Sequence, residues 1–217
     1  MTQKSRRTSV FAIFTLVVVL SLLLTMPVQA AKNQQITPWP VVGVLGNITA
    51  PTTWSAGSVY YVMGDIYVNA GVTLTIEGGA IVKFWTPIDP TIGPLSSLTV
   101  NGSLRFINTG PADAQRVIFT SDRDDTLGGD TNGDEQQTLP APGDWDYVRL
   151  TNWINTDPVY EYLNVRYGKS GLEMYNAGAT NFAPVFANNI FVENTCGLTL
   201  SYNSNGYITG EVRDNIF

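Results

Sequence analysis

The C-terminal stretch NNIFVENTCGLTLSYNSNGYITGEVRDNIF (188–217) decides the architecture. Asn189-Ile190-Phe191 near its start returns as Asn215-Ile216-Phe217, an offset of 26. Gly197-Leu198-Thr199-Leu200 answers Gly171-Leu172-Glu173-Met174 at the same offset. Two separate segments sharing one offset mark a chain wound into repeating coils, because each coil must set the same side chains in the same stacks. Asn188-Asn189 and Asp214-Asn215 suit the corners of such coils, since Asn tolerates left-handed backbone and its amide stacks in ladders.

Upstream, the chain continues in the same short units. Val72-Thr73-Leu74-Thr75-Ile76, Ala80-Ile81-Val82-Lys83-Phe84, Leu98-Thr99-Val100, Val117-Ile118-Phe119-Thr120 and Tyr147-Val148-Arg149-Leu150 are rich in β-branched or aromatic residues. Gly, Asn, Pro or Asp bounds them, the usual punctuation of strands. No stretch after Ala31 sustains a 3.6-residue apolar period, so the chain is read as all-β. A Greek-key sandwich would also use short strands, but it has no reason to repeat at 26. The expectation is a parallel solenoid of about 24–26 residues and three short strands per coil.

Gly64-Asp65-Ile66-Tyr67-Val68-Asn69-Ala70-Gly71-Val72-Thr73-Leu74-Thr75-Ile76-Glu77-Gly78-Gly79-Ala80-Ile81-Val82-Lys83-Phe84 resembles the opening coil of bacterial exported right-handed parallel β-helix repeat proteins, the pectin-lyase-like fold. Leu98–Leu104, Val117–Asp125, Gly129–Asp134 and Pro142–Trp145 continue the resemblance, which covers roughly residues 58–217. Gly78-Gly79 stands where a Glu-Pro-Gly turn is common, a change that should preserve the turn. The resemblance implies a right-handed parallel β-helix. It says little about function, because such proteins include surface proteins, adhesin-like proteins and carbohydrate-active enzymes.

At the N-terminus, Lys4, Arg6 and Arg7 precede an almost unbroken apolar run from Val10 to Met26, and Val28-Gln29-Ala30 supplies small residues for cleavage. Residues 1–30 are therefore read as a signal peptide, with export to the cell surface or medium. An uncleaved anchor is the alternative, at the lower edge of spanning length. Of 12 basic and 18 acidic residues, cleavage removes three basic and no acidic ones, taking the net charge from −6 to −9. So acidic an exported chain suits neither nucleic acid nor anionic membrane, which bind through Lys and Arg. Residues 31–58, with Pro38, Trp39, Pro40, Pro51 and Trp54, are expected to cap the first coil, and 59–217 to form the β-helix. The chain stops at Phe217 inside what reads as a starting strand, so the far end is expected to be uncapped and the whole to be the N-terminal part of a longer protein.

The chemistry concentrates in 121–146, read as a loop inserted into the coils. Eight carboxylates there face one Arg, a local charge of −7. Carboxylates this dense need solvent or a hard cation, and calcium takes oxygen ligands. Asp122, Asp124, Asp125, Asp130, Asn132 and Asp134 are the candidate ligands. Asp130-Thr131-Asn132-Gly133-Asp134 places side-chain oxygens at every second position, as calcium loops do. It departs from an EF-hand beyond that point, with Gly fourth instead of sixth and Ala141 in the place of the bidentate Glu. A solvated acidic loop is the other reading.

The absence of His removes Ser-His-Asp and Cys-His nucleophiles, HExxH zinc sites and His general bases. Lys83, Arg105, Arg149, Arg166 and Lys169 could serve a lyase groove, but each reads first as a solvated strand residue, and no catalytic residue is assigned. Trp85, Trp145, Trp153, Tyr160, Tyr162, Tyr167 and Tyr175 either form a sugar-stacking platform or fill the coil interior. The single Cys196 forms no internal disulfide and reads as a small buried apolar residue. These observations point to a non-catalytic exported scaffold, monomeric or part of a longer chain, that binds polysaccharide or surface glycan or acts as an adhesin. A β-helix polysaccharide lyase or glycosidase is the alternative.

Overall fold

A computed structural model describes residues 39–89, 93–151, 159–176, 183–202 and 209–217. The proposed signal peptide, the cap residues 31–38 and Trp153 lie outside the described residues. Among the described residues no helix is long and apolar enough to cross a membrane.

The described chain is all-β. In order the strands are β1 (Val41–Val44), β2 (Thr52–Trp54), β3 (Val59–Val62), β4 (Asp65–Val68), β5 (Thr73–Glu77), β6 (Ile81–Phe84), β7 (Ser97–Val100), β8 (Ser103–Ile107), β9 (Val117–Ser121), β10 (Trp145–Leu150), β11 (Val159–Glu161), β12 (Leu163–Arg166), β13 (Gly168–Asn176), β14 (Val185–Ala187), β15 (Ile190–Val192), β16 (Leu198–Tyr202) and β17 (Glu211–Arg213). They pair in parallel throughout, in a six-stranded sheet β1-β3-β6-β9-β12-β15, a five-stranded sheet β4-β7-β10-β13-β16, and the three-stranded sheets β2-β5-β8 and β11-β14-β17. From β3 onward the chain visits six-stranded, five-stranded and three-stranded sheets in that fixed order, five times over. Residues 41–54 make an opening circuit of the same kind. β1 pairs with β3, β2 pairs with β5, and Ile48 bridges to Val68.

Alternation along each strand decides what points inward. β5 buries Leu74 and Ile76 and leaves Thr73, Thr75 and Glu77 partly exposed. Side chains from all four sheets, among them Val62, Phe84, Leu98, Val148, Leu74 and Phe186, meet in one apolar core. Aromatic rings stack along it, Phe84 on Trp145 at 4.4 Å between centroids and Tyr160 on Phe186 at 5.1 Å. At the turn into β6 the nitrogen of Ala80 donates to Glu77 O at 3.0 Å, with Gly79 at φ +93° in the position that needs a glycine.

The repeat read from the sequence is present in atoms. Val159 pairs with Val185 and Val185 with Glu211, Asn164 with Ile190, and Leu172 with Leu198, every pair at the same offset of 26. Tyr162, Asn188 and Asp214 all take positive φ at one corner, and Tyr167 and Glu193 do so at another. After the first corner comes an amide ladder. Asn189 Oδ1 accepts from the nitrogen of Leu163 and its Nδ2 donates to Tyr160 O, both at 2.9 Å. Asn215 repeats the arrangement one repeat later, on the nitrogen of Asn189 and on Phe186 O. Asn194 builds the same bridge after the second corner, from the nitrogen of Gly168 to Val165 O.

Candidate functional site

β6 is buried on both faces. Its inner face belongs to the core. Its outer face is roofed by the acidic loop, because Val59, Ile81 and Ile118 form a second apolar cluster against Leu127 and Trp39. Gly128 lies so close over Val59 that a Cβ there would come within 2.6 Å of it. Beside these apolar contacts, β3, β6 and β9 align a polar row, Tyr61–Lys83–Thr120.

That row anchors the start of the loop. The Tyr61 hydroxyl donates to Asp122 Oδ2 at 2.9 Å, and the nitrogen of Thr86 donates to Asp122 Oδ1 at 3.2 Å. Lys83, fully buried, donates from Nζ to Asp124 O at 2.9 Å and Gly129 O at 2.5 Å. The expected solvated position of Lys83 is thus corrected: the loop closes over it. Burial pulls its ammonium pKa below the usual lysine value, against the opposing pull of the aspartates around it. The Thr120 hydroxyl donates to Asp124 Oδ2 at 2.8 Å, and Arg166 Nη1 lies 3.6 Å from the same oxygen. Asp122 and Asp124 are 2% and 1% exposed and spend their carboxylates on these anchors. Burial raises the pKa of Asp122 above the usual carboxyl value, despite its hydrogen bonds from Tyr61 and Thr86.

Three of the six candidate ligands converge. Carboxylate oxygens of Asp125, Asp130 and Asp134 all lie within 4.8 Å of one another. Backbone donors set two of them, since the nitrogens of Gly133 and Glu135 donate to Asp130 at 2.7 and 3.1 Å, and those of Gln137 and Thr138 donate to Asp134 at 3.2 and 3.0 Å. The Thr138 hydroxyl leads the hydrogen bonds that depress the Asp134 pKa. Asn132 turns its amide toward Asp134 and Thr138, at 3.0 and 3.2 Å. Asp125 is different. Both its oxygens are closed off from solvent and neither has a hydrogen-bond partner. Desolvation first, and the charge of Asp130 next, raise its pKa.

Two oxygens bound to one calcium at about 2.4 Å sit no more than about 4.8 Å apart, so the cluster fits a shared ion, and an orphaned carboxylate is what such an ion would satisfy.

A cleft of about 290 Å³ opens beside the cluster. Tyr61, Trp85, Asp122, Arg123, Asp134 and Thr138 supply its chemistry. Trp85, at the end of β6, is 37% exposed. Arg123 is committed elsewhere, with Nη1 3.3 Å from Asp144 Oδ1 and Nη2 donating to Pro87 O at 2.8 Å and Ile88 O at 3.4 Å.

The other candidates disperse. Trp145 and Tyr160 are core residues, Tyr162 and Tyr167 occupy the positive-φ corners, and Tyr175 is 40% exposed. Arg149 stacks on Tyr147 at 3.7 Å and pairs with Glu173 at 2.9 Å, while Arg105 and Lys169 are exposed. Cys196 is exposed, a correction to its reading as a buried residue; Sγ lies 3.3 Å from Thr199 Oγ1. Its position follows a tight corner, where a small apolar side chain has no core to enter. Sequence reasoning missed Tyr61 and Thr138, which carry no motif and become visible only when the strand row and the loop fold together.

No family model, curated protein or solved structure matches the chain.

Proposed function

We propose that this chain is an exported, right-handed parallel β-helix scaffold that holds calcium in the 121–146 loop and presents a glycan-binding surface beside it. The fixed three-sheet cycle and the Asn ladder support the winding. The apolar N-terminal run and the acidic composition support export. The observation that carries the calcium reading is Asp125, a carboxylate with both oxygens shut from water and unpartnered, facing two further carboxylates. The residues that would hold the ion are Asp125, Asp130 and Asp134, and calcium would neutralise their repulsion and fix the loop over β3, β6 and β9.

Calorimetric titration of the purified chain with calcium, with thermal unfolding followed in parallel, tests this. Dissociation constants of about 10⁻⁶ to 10⁻³ M are expected, with a rise in Tm. Asp125→Asn keeps the shape and removes the charge; it should weaken binding at least about tenfold and raise the ion-free Tm. No heat and no Tm shift in the parent protein would end the calcium reading.

One observation favours the enzymatic alternative. Asp122 and Asp134 line the same cleft with pKa values pushed in opposite directions, Asp122 up by burial and Asp134 down by the Thr138 hydroxyl. An acid and a base on one glycoside would have that pattern. Release of reducing ends, lost in Asp122→Asn, would favour it over the scaffold.

A further inference from the structure

Asn101, Asn132 and Asn205 each precede a glycine, and Asn205 lies outside the described residues. An Asn-Gly step is labile because no Cβ shields the nitrogen of the next peptide, which can attack the Asn side-chain carbonyl carbon. The folded surroundings of Asn101 and Asn132 differ.

Asn101-Gly102 is clamped. Gly102 is buried, and a Cβ on it would come within 2.0 Å of Val72 O and 2.5 Å of Asn69 O. Asn101 Oδ1 accepts from the Thr151 hydroxyl at 2.6 Å, and the Asn101 nitrogen donates to Val68 O at 2.9 Å. Ring closure there would have to move a nitrogen wedged against carbonyls of the preceding circuit.

Asn132-Gly133 is open. Gly133 is exposed, takes φ +77°, and a Cβ on it would meet nothing within 4 Å. The nitrogen of Asp134 donates to Asn132 Oδ1 at 3.3 Å. Such a turn curls the side chain back over the Gly133 peptide and polarises the carbonyl that is to be attacked. The Gly133 N–H donates to Asp130 Oδ1 at 2.7 Å. That bond lies in the peptide plane, whereas attack uses the nitrogen lobe perpendicular to it.

We propose that Asn132 is a site of spontaneous deamidation, so that the loop gains a carboxylate as the folded protein ages. The Gly133 nitrogen bonds to Asn132 Cγ and its proton passes to solvent. The Cγ–Nδ2 bond breaks, and the nitrogen leaves as ammonia with a proton from water. A second water opens the resulting cyclic imide at either carbonyl, leaving Asp or isoAsp at 132, and nothing is oxidised or reduced. The amide that donates to Asp134 Oδ2 at 3.0 Å and Thr138 Oγ1 at 3.2 Å thereby becomes an anion. Asn132 also lines the cleft beside Trp85, so negative charge is added to that wall.

The full chain is held folded near neutral pH with a calcium chelator, which separates the outcome from the proposed ion. A second sample is held in guanidinium. Peptide mapping by mass spectrometry, with detection of isoAsp, follows both sites. In the folded chain Asn132 should convert at least about tenfold faster than Asn101, to a mixture of Asp and isoAsp. In guanidinium the two rates should converge, because each Asn is followed by the same glycine. Asn132→Gln should abolish the mass gain in its peptide and leave Asn101 as in the parent, since the longer side chain closes its ring slowly.

An Asn132 that stays intact in the folded chain while it converts in guanidinium would overturn the proposal. So would equal rates at Asn101 and Asn132 in the folded chain, because packing would then not choose between them. Conversion to Asp without isoAsp would mean direct hydrolysis and would overturn the attack by Gly133.

Discussion

Tyr61, Lys83 and Thr120 stand in one row across three parallel strands and divide the work of the aspartates above them. Asp122 and Asp124 are drawn down to that row, which leaves Asp125, Asp130 and Asp134 to face one another. The charge density of 121–146 was legible in the sequence, but this division was not. Nothing in Asp122-Arg123-Asp124-Asp125 says which carboxylate turns inward until the strand row beneath is known. Lys83 was equally opaque, because an alternating strand offers its lysine to solvent unless another segment covers it. Burial of Asp122 has a pH signature. Its folded pKa lies above the ordinary 3.8, so between the two values the folded protein binds more protons than the unfolded chain. Its contribution to stability therefore falls as pH rises through that window, and the penalty is complete above the folded pKa. Asp122→Asn lacks this term. The Tm of the variant minus that of the parent should climb from about pH 4 upward and then level off. A difference independent of pH would mean that Asp122 titrates alike in both states.

At the scale of elements, the corner ladder is the most direct expression of sequence in structure. The Asn189 side chain is 1% exposed and satisfies one backbone donor and one backbone acceptor of the repeat before it. Asn189→Ala strands both groups in a dry corner. The expected loss is about 2–4 kcal/mol in chemical denaturation, against a smaller loss for Asn215→Ala, whose residue is partly exposed. Similar losses at both positions would show that the ladder is not what makes Asn189 count. This ladder explains why the later repeats could be read by eye. Each corner needs the same residue at the same place, so the offset is locked at 26. Earlier circuits show no such common spacing: Val59 pairs with Ile81, Ile66 with Leu98, and Leu98 with Val148 beyond the whole acidic loop. With no fixed offset, strand chemistry alone remained legible there.

Across the whole molecule, stability is expected to be graded across the parallel sheets. Interior strands such as β9 and β12 have a partner on each side, whereas β17 has one, and Val212 and Phe217 near it are 48% and 70% exposed. Opening should therefore begin at β17 and reach β9 and β12 last. Hydrogen exchange followed by mass spectrometry should show amide protection rising from 209–217 toward 117–121 and 163–166. Uniform exchange would instead indicate a single all-or-none unit. The partners in each sheet lie far apart in sequence, so closure should be slower than in a helical bundle of similar length.

The pairing of β7 with β10 spans the entire 121–146 segment, while β3 with β6 and β4 with β7 pair across much shorter connections, and this contrast has a practical corollary. Strands here find their places through the strands above and below, and the sheet is indifferent to how much chain is looped out between them. Residues 122–144, which lie between β9 and β10, are accordingly a mounting point. A foreign peptide spliced in their place should be displayed on an intact frame, provided it brings an apolar residue to sit where Leu127 covers Val59, Ile81 and Ile118 and a partner for the ammonium of Lys83.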